Sequence, residues 1–192
     1  MMKAIDKNTF IPMPVMLVGT MHGGVPNFMP VGWVTRVNAQ PPMIGIGVFK
    51  GHATAADIER NREFSICLPG KDLLARVDYC GSVSANKISK ADVFKTFTNS
   101  LKHAPMIEEC QLCLECKLVQ TVELPSNRFF VGEIVAAYAH PEVLTEGKPD
   151  LAKMQGMVLT MPDNHYWSVG ESIGLVQQAG KGYTKPSVAA AR

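Results

Sequence analysis

The chain has 192 residues, of which 46% are hydrophobic and 19% charged. That length and hydrophobic share support one domain with its own core and exclude a disordered chain. A formal net charge of only +2, from 19 basic and 17 acidic residues, argues against a nucleic-acid partner, whose recognition usually rests on a large basic excess.

The 16 glycines and 13 prolines favour turns and short strands over a helical bundle. Residues 1–15 hold no uninterrupted apolar run and no small-residue cleavage site, and no later stretch reaches bilayer length. Five cysteines, an odd number, do not read as a secreted disulfide framework. The expectation is a cytoplasmic protein with reduced thiols and no membrane partner.

Met13 to Thr20 reads as a strand, followed by a breaker-rich turn over His22-Gly23-Gly24-Val25-Pro26-Asn27 and a return strand over Phe28 to Arg36. Pro41-Pro42 stops that hairpin, and Met43 to Phe49 forms the next strand. Gly45 and Gly47 share one face of it and Ile44, Ile46 and Val48 the other. A strand face without side chains marks either a tight bend or a close approach by another group.

Thr54 and Asp57 have capping-box spacing ahead of a helix over Ala55 to Arg62. Glu63 to Leu68 reads as a strand, Asp72 to Tyr79 as a short helix and Cys80 to Lys90 as a polar loop. Two more strands, Gln111 to Val122 and Phe129 to His140, turn around Pro125-Ser126-Asn127. Residues 141–155 read as a surface excursion, and Met157 to Thr160 pairs with His165 to Val169. The chain divides into an arm over 1–12, one domain over 13–176 and a mobile tail over 177–192. It is mainly β and antiparallel, with short helices.

Cys110, Cys113 and Cys116 form a C-x2-C-x2-C run, which invites an iron–sulfur or metal reading. A cluster needs four ligands, and the surrounding composition is that of a strand. There Cys113 and Cys116 point to opposite faces, so buried thiols are the preferred reading.

The junction Lys50-Gly51-His52-Ala53-Thr54 carries more chemistry. A helix N-terminus offers unpaired N–H groups and a positive dipole end. A lysine and a histidine precede it, and a threonine hydroxyl caps it. The set suits a phosphate, and it equally describes a plain capped helix.

The ordered set Pro12-x-Pro14-Val15, Asn27, Gly32-Trp33-Val34-Thr35, Pro41-Pro42, Lys50-Gly51-His52-x-Thr54, Ile58 and Phe64-Ser65-Ile66-Cys67 resembles the flavin reductase-like FMN-binding family, and within it the flavoredoxin subgroup. Asp78 to Ser84, Leu114-Glu115-Cys116 and Phe130 to Ala136 extend the resemblance, which covers roughly residues 10–170.

The resemblance implies a split β-barrel that forms a homodimer and holds FMN non-covalently near the dimer interface. On it, Trp33, Val34, Thr35 and Asn38 fall on positions that approach the isoalloxazine ring, and Lys50, His52 and Thr54 on phosphate-binding positions. Ser84 and Lys90 fall on the family's Ser-Gly … Asp-Lys-Phe stretch, with Ala85, Ser89 and Ala91 in place of the glycine, aspartate and phenylalanine.

Many NAD(P)H-dependent members carry a histidine five residues before the glycine of Phe-x-Gly-Glu, where this chain has Asn127. Nor does a G-x-G-x-x-G follow any strand. The expected function is an FMN redox protein that passes electrons or reduces flavin. Its donor or acceptor is a partner protein, NADH or NADPH. The alternatives are a non-catalytic FMN-binding module and a metal protein built on the cysteine run. No residue is singled out as catalytic.

Overall fold

The computed structural model describes residues 2–183. The first predicted strand is two, β1 (Phe10–Pro14) and β2 (Met16–His22). They part at Val15, whose N–H bonds to the Met157 carbonyl.

Gly23 and Gly24 both have positive φ, 59° and 89°. They make the two-residue hairpin that returns the chain as β3 (Val25–Val31). The return strand breaks at Gly32-Trp33, and β4 (Val34–Asn38) and β5 (Met43–Phe49) follow.

Helix α1 covers Ala53–Asn61, two residues earlier than the sequence pattern predicts. His52 is its N-cap by backbone conformation, and Thr54 lies inside the first turn. The helix stops where Arg62 adopts a left-handed φ of 58° and its N–H returns to the Ile58 carbonyl.

β6 (Glu63–Leu68), a 3-10 turn (Lys71–Leu73) and α2 (Leu74–Ser82) come next. The pairs β7 (Thr96–Phe97) with β8 (Met106–Ile107) and β9 (Leu112–Glu123) with β10 (Asn127–Ala139) follow. The excursion holds a 3-10 turn (Pro141–Val143), β11 (Leu144–Thr145), β12 (Lys148–Pro149) and α3 (Leu151–Met154). It is anchored, because Val143 and Met154 bury against Leu68. β13 (Met157–Met161) and β14 (Tyr166–Ser168) close the described chain. Part of the predicted tail, from residue 184 on, lies outside the described residues.

The main sheet has seven antiparallel strands in the order β3-β2-β6-β9-β10-β5-β4. β3 and β4 are its two edges, yet only Gly32 and Trp33 separate them in sequence. The sheet therefore curls until its edges approach at that link, and no ladder joins them. A smaller sheet, β1-β13-β14, stands apart.

Period-two alternation sorts the core onto two faces. Leu17, Cys67 and Cys113 lie opposite one another on β2, β6 and β9 and join one cluster with Phe28, Val77 and Met106. Val18 and Ile66, the next row, join Phe64, Phe130, Ile46 and Ile58 of α1 in the other. Each fully buried aliphatic or aromatic side chain contributes about 1.5–3 kcal/mol to stability.

Cys116 belongs to this second cluster, so the C-x2-C-x2-C run is divided between two faces. Fully buried Glu115 accepts bonds from the backbone N–H groups of Asn99, Ser100 and Leu101 and from the Tyr138 hydroxyl. That satisfies its charge and pins the loop before β8.

Candidate functional site

The seam between the sheet edges opens into a cavity of about 370 Å³. Gly32 and Trp33 come from the link itself. Gly47 and Phe49 come from the end of β5, His52 from the helix entry, and Asn127 from the start of β10. Met13, Leu159 and Met161 of the small sheet, with Met29, supply apolar wall. Trp33 and Phe49 are each about half exposed, at 48% and 51%. Flat apolar surface is thus presented to an occupant.

The paired glycines of β5 make room for the protein's own rings. A Cβ on Gly47 would stand 3.3 Å from the Trp33 indole, and one on Gly45 would collide with the Phe129 ring. Trp33 holds its place at the cavity because Gly47 lets it lie close to the sheet. The Trp33 carbonyl also accepts the Gly47 N–H at 2.8 Å.

A second, smaller cavity of about 140 Å³ lies by the β2–β3 hairpin and the loop after α2. His22, Asn27, Lys87 and Lys90 line it. Lys90 is 4% exposed, and its Nζ donates to the Cys80 carbonyl at 3.1 Å. Burial pulls its ammonium below the ordinary range, with the Cys80 thiol acting the other way.

Asn27 Nδ2 donates to Thr54 Oγ1 at 3.1 Å, while its Oδ1 is buried without a partner. One end of that amide therefore remains free for a ligand, whichever way the amide is turned. His22 Nδ1 meets Asp57 Oδ2 at 2.8 Å, and Arg60 holds the other oxygen of this buried carboxylate.

His52 lines the wide cavity, where its ring meets Phe49 edge-on at 5.6 Å between centroids. Burial lowers its pKa, and the nearby Lys90 charge lowers it further.

Of the residues singled out in the sequence, Trp33 and His52 line the wide cavity, Lys90 lines the small one, and Thr54 supports Asn27 beside it. Val34 packs on the core beneath edge strand β4. Thr35 and Asn38 are exposed on that edge and bond to the Arg36 and Pro41 carbonyls. Ser84 is an exposed turn residue whose carbonyl accepts from the N–H groups of Lys87 and Ile88.

Lys50 lines neither cavity. It pairs at 2.8 Å with Glu123, which also binds Arg128, itself bonded to Glu59 of α1. Thr54 is not the helix cap, since its hydroxyl faces Asn27. His22 and the free end of Asn27 were missed. Their partners Asp57 and Thr54 lie 35 and 27 positions away, too far for any local pattern to show. Among the described residues, no group of three or more His, Cys, Asp or Glu side chains is arranged to hold a metal ion.

A curled antiparallel sheet with its cavity at the seam matches a known class. The family model for the flavin reductase like domain matches residues 8–166. The chain belongs to the flavin reductase-like family, a family of flavin redox proteins.

Within it, the chain is similar to the solved structure of flavoredoxin from Methanosarcina acetivorans. The identity is 49% and the TM-score 0.92, over 94% of this chain and 98% of that one. Flavoredoxin of Desulfovibrio vulgaris (Miyazaki F) is similar at 26% identity and a TM-score of 0.87, over 94% of this chain and all of the other. The reductase component of a 4-nitrophenol 4-monooxygenase/4-nitrocatechol 2-monooxygenase from Rhodococcus opacus is 29% identical over 65% of each chain.

Proposed function

We propose that the protein is an FMN-dependent electron carrier of flavoredoxin type. The observation that carries this reading is the pair of cavities, one walled by half-exposed aromatics and the other holding a buried ammonium and an amide with one unpartnered end. The first suits a flat heterocycle and the second an anionic group.

Trp33, Phe49 and the Gly47 strand hold the ring, and Met13 and Met161 keep water from one side of it. Lys90 and Asn27, with the first turn of α1, hold the phosphate. The bound flavin supplies the redox chemistry. The chain's own residues bind it, orient it and limit its exposure.

The curled seven-stranded sheet is read as the split barrel of the family, and two copies are read as pairing. Val119, Val122, Leu124 and Val135 on β9, β10 and their turn are each more than a third exposed, apolar side chains that a second copy would cover. Analytical ultracentrifugation gives the mass of a dimer on this reading and of a single chain if it fails.

Asn127 lines the wide cavity where the nicotinamide-using relatives are expected to carry histidine. That favours a partner protein as donor over direct NADH or NADPH use. The test begins with the absorbance spectrum of the purified protein and an FMN titration. Flavin bands, or tight FMN binding with bleaching by a low-potential donor, support the proposal. A colourless protein that ignores added FMN ends it. Binding without reduction by any donor supports a non-catalytic FMN module instead.

A further inference from the structure

Four of the five cysteines, Cys80 of α2 among them, belong to the core cluster on the face of the sheet opposite α1. Cys67 on β6 and Cys113 on β9 are register partners. The surrounding bonds fix which kind of pair they make. The Leu118 N–H bonds to the Arg62 carbonyl, and the Gln111 N–H to the Leu68 carbonyl. The Glu63 carbonyl turns the other way, toward the Thr20 hydroxyl on β2.

Even-numbered residues of β6 therefore bond toward β9, and odd-numbered ones toward β2. Cys67 and Cys113 form a non-hydrogen-bonded pair, in which Cα atoms stand about 4.5 Å apart and side chains approach most closely. That spacing falls within the roughly 4.4–6.8 Å span of disulfides. Cys67, Cys110 and Cys113 are buried in one core cluster, where Cys113 Sγ donates to the Ile107 carbonyl at 3.4 Å.

Cys110 and Cys113 also line a third cavity of about 290 Å³, shared with Phe97, Tyr138 and His140. This cavity has no lining residue in common with the two described above.

We propose that Cys67 and Cys113 are a redox-responsive dithiol that a small hydroperoxide, entering by this cavity, converts to a cross-strand disulfide. The Cys113 sulfur attacks one peroxide oxygen, the O–O bond breaks, and with hydrogen peroxide a water leaves. Cys113 is then a sulfenic acid. The Cys67 sulfur attacks the Cys113 sulfur, the S–O bond breaks, and the hydroxide takes the Cys67 proton as a second water. Two thiols lose two electrons, and the peroxide gains them.

Burial pushes the Cys67 thiol up, and the Cys67 thiol first and burial second push Cys113 up, so little thiolate is present at rest. The pair stays reduced under ordinary conditions and responds to sustained exposure.

The full chain is incubated with hydrogen peroxide, its remaining thiols are alkylated after unfolding, and it is mapped without reduction. The expected result is three free thiols in place of five, a mass lower by two hydrogens, and one peptide pair joined through Cys67 and Cys113 that dithiothreitol releases. Cys110→Ser keeps this link. Cys67→Ser abolishes it and leaves Cys113 open to capture by a sulfenic-acid-specific dione. Five surviving thiols, any other linkage, or Cys113 carried to sulfinic acid without a link overturns the proposal. If Cys67→Ser does not fold, the map of the unmodified sequence decides alone.

Discussion

The wide cavity at the seam and the narrow one at Lys90 share no lining residue and select by different physics. The wide one presents half-exposed rings and methionines and little charge. It holds a flat occupant by area and stacking, which salt barely touches. The narrow one centres on a buried ammonium with one carbonyl partner and an amide with a free end. It holds an anion by a few charge-assisted bonds, which depend on pH and ionic strength. Ring orientation and phosphate affinity are therefore separable, and substitutions on the two sides leave different signatures.

The largest effect is expected at Lys90. A hydrogen bond to a charged group contributes about 1.5–3 kcal/mol, so Lys90→Met weakens FMN binding by roughly ten- to a hundredfold and flattens its salt dependence. Fluorescence titration at several salt concentrations measures both. An unchanged affinity places the phosphate elsewhere.

The same lysine gives two pH dependences of opposite sign. Its folded pKa lies below the ordinary 10.5, so between the two values the unfolded chain binds more protons. Stability of the flavin-free protein then rises as pH rises through that window. FMN affinity falls across it, because the ammonium becomes neutral. Urea unfolding and FMN titration at matched pH values test the pair of trends together.

A smaller effect is expected at Trp33. Aromatic pairs are worth about 0.5–1.5 kcal/mol beyond their area, so Trp33→Ala costs a few-fold to about tenfold in FMN affinity. Its signature is an altered flavin absorption band with the salt dependence intact. A variant that changes the salt dependence but not the band would merge the two cavities into one electrostatic site.

How much of this was legible depends on where the information lies. β5 and β6 are predicted residue for residue, because Pro41-Pro42 and Gly51 flank the first, Pro69-Gly70 ends the second, and neither holds a proline. Trp33 and the helix entry at His52 are visible as local motifs. The break at Gly32-Trp33 is not, because the flanking residues have strand composition on both sides. What separates β3 from β4 is the curl of the whole sheet, which sends them to opposite edges. Asn27 and His22 meet their partners only through that fold. Glycines 45 and 47 are visible as a bare strand face, but a sequence does not say whose ring fills it. Here the protein's own Phe129 and Trp33 do.

The coupling between the cavities is itself measurable. Burial is the main cause of the low His52 pKa and the Lys90 charge a secondary one. Removing that charge in Lys90→Met raises the His52 pKa part of the way toward its ordinary value. A histidine NMR titration of the flavin-free protein reads this shift. No change would mean that solvent screens the two groups from each other.

The smallest effect is expected at Lys50, which sequence reasoning placed beside the phosphate. Its ammonium sits on Glu123, whose carboxyl is held below the usual range by Lys50 first and Arg128 second. Exposed pairs of this kind contribute little to stability, since water and salt screen them and two long side chains must be held still. Lys50→Ala therefore leaves Arg128 to hold Glu123, and FMN affinity stays within about twofold. The pairing also gives the prediction a control. Glu123→Gln releases the Lys50 ammonium without removing it. If Lys50 is a phosphate ligand masked by its partner in the flavin-free protein, Glu123→Gln tightens FMN binding while Lys50→Ala loosens it. If the pair only ties the β9–β10 turn to the end of β5, both variants bind FMN as the unmodified protein does, and the charge that matters to the flavin is the buried one at Lys90.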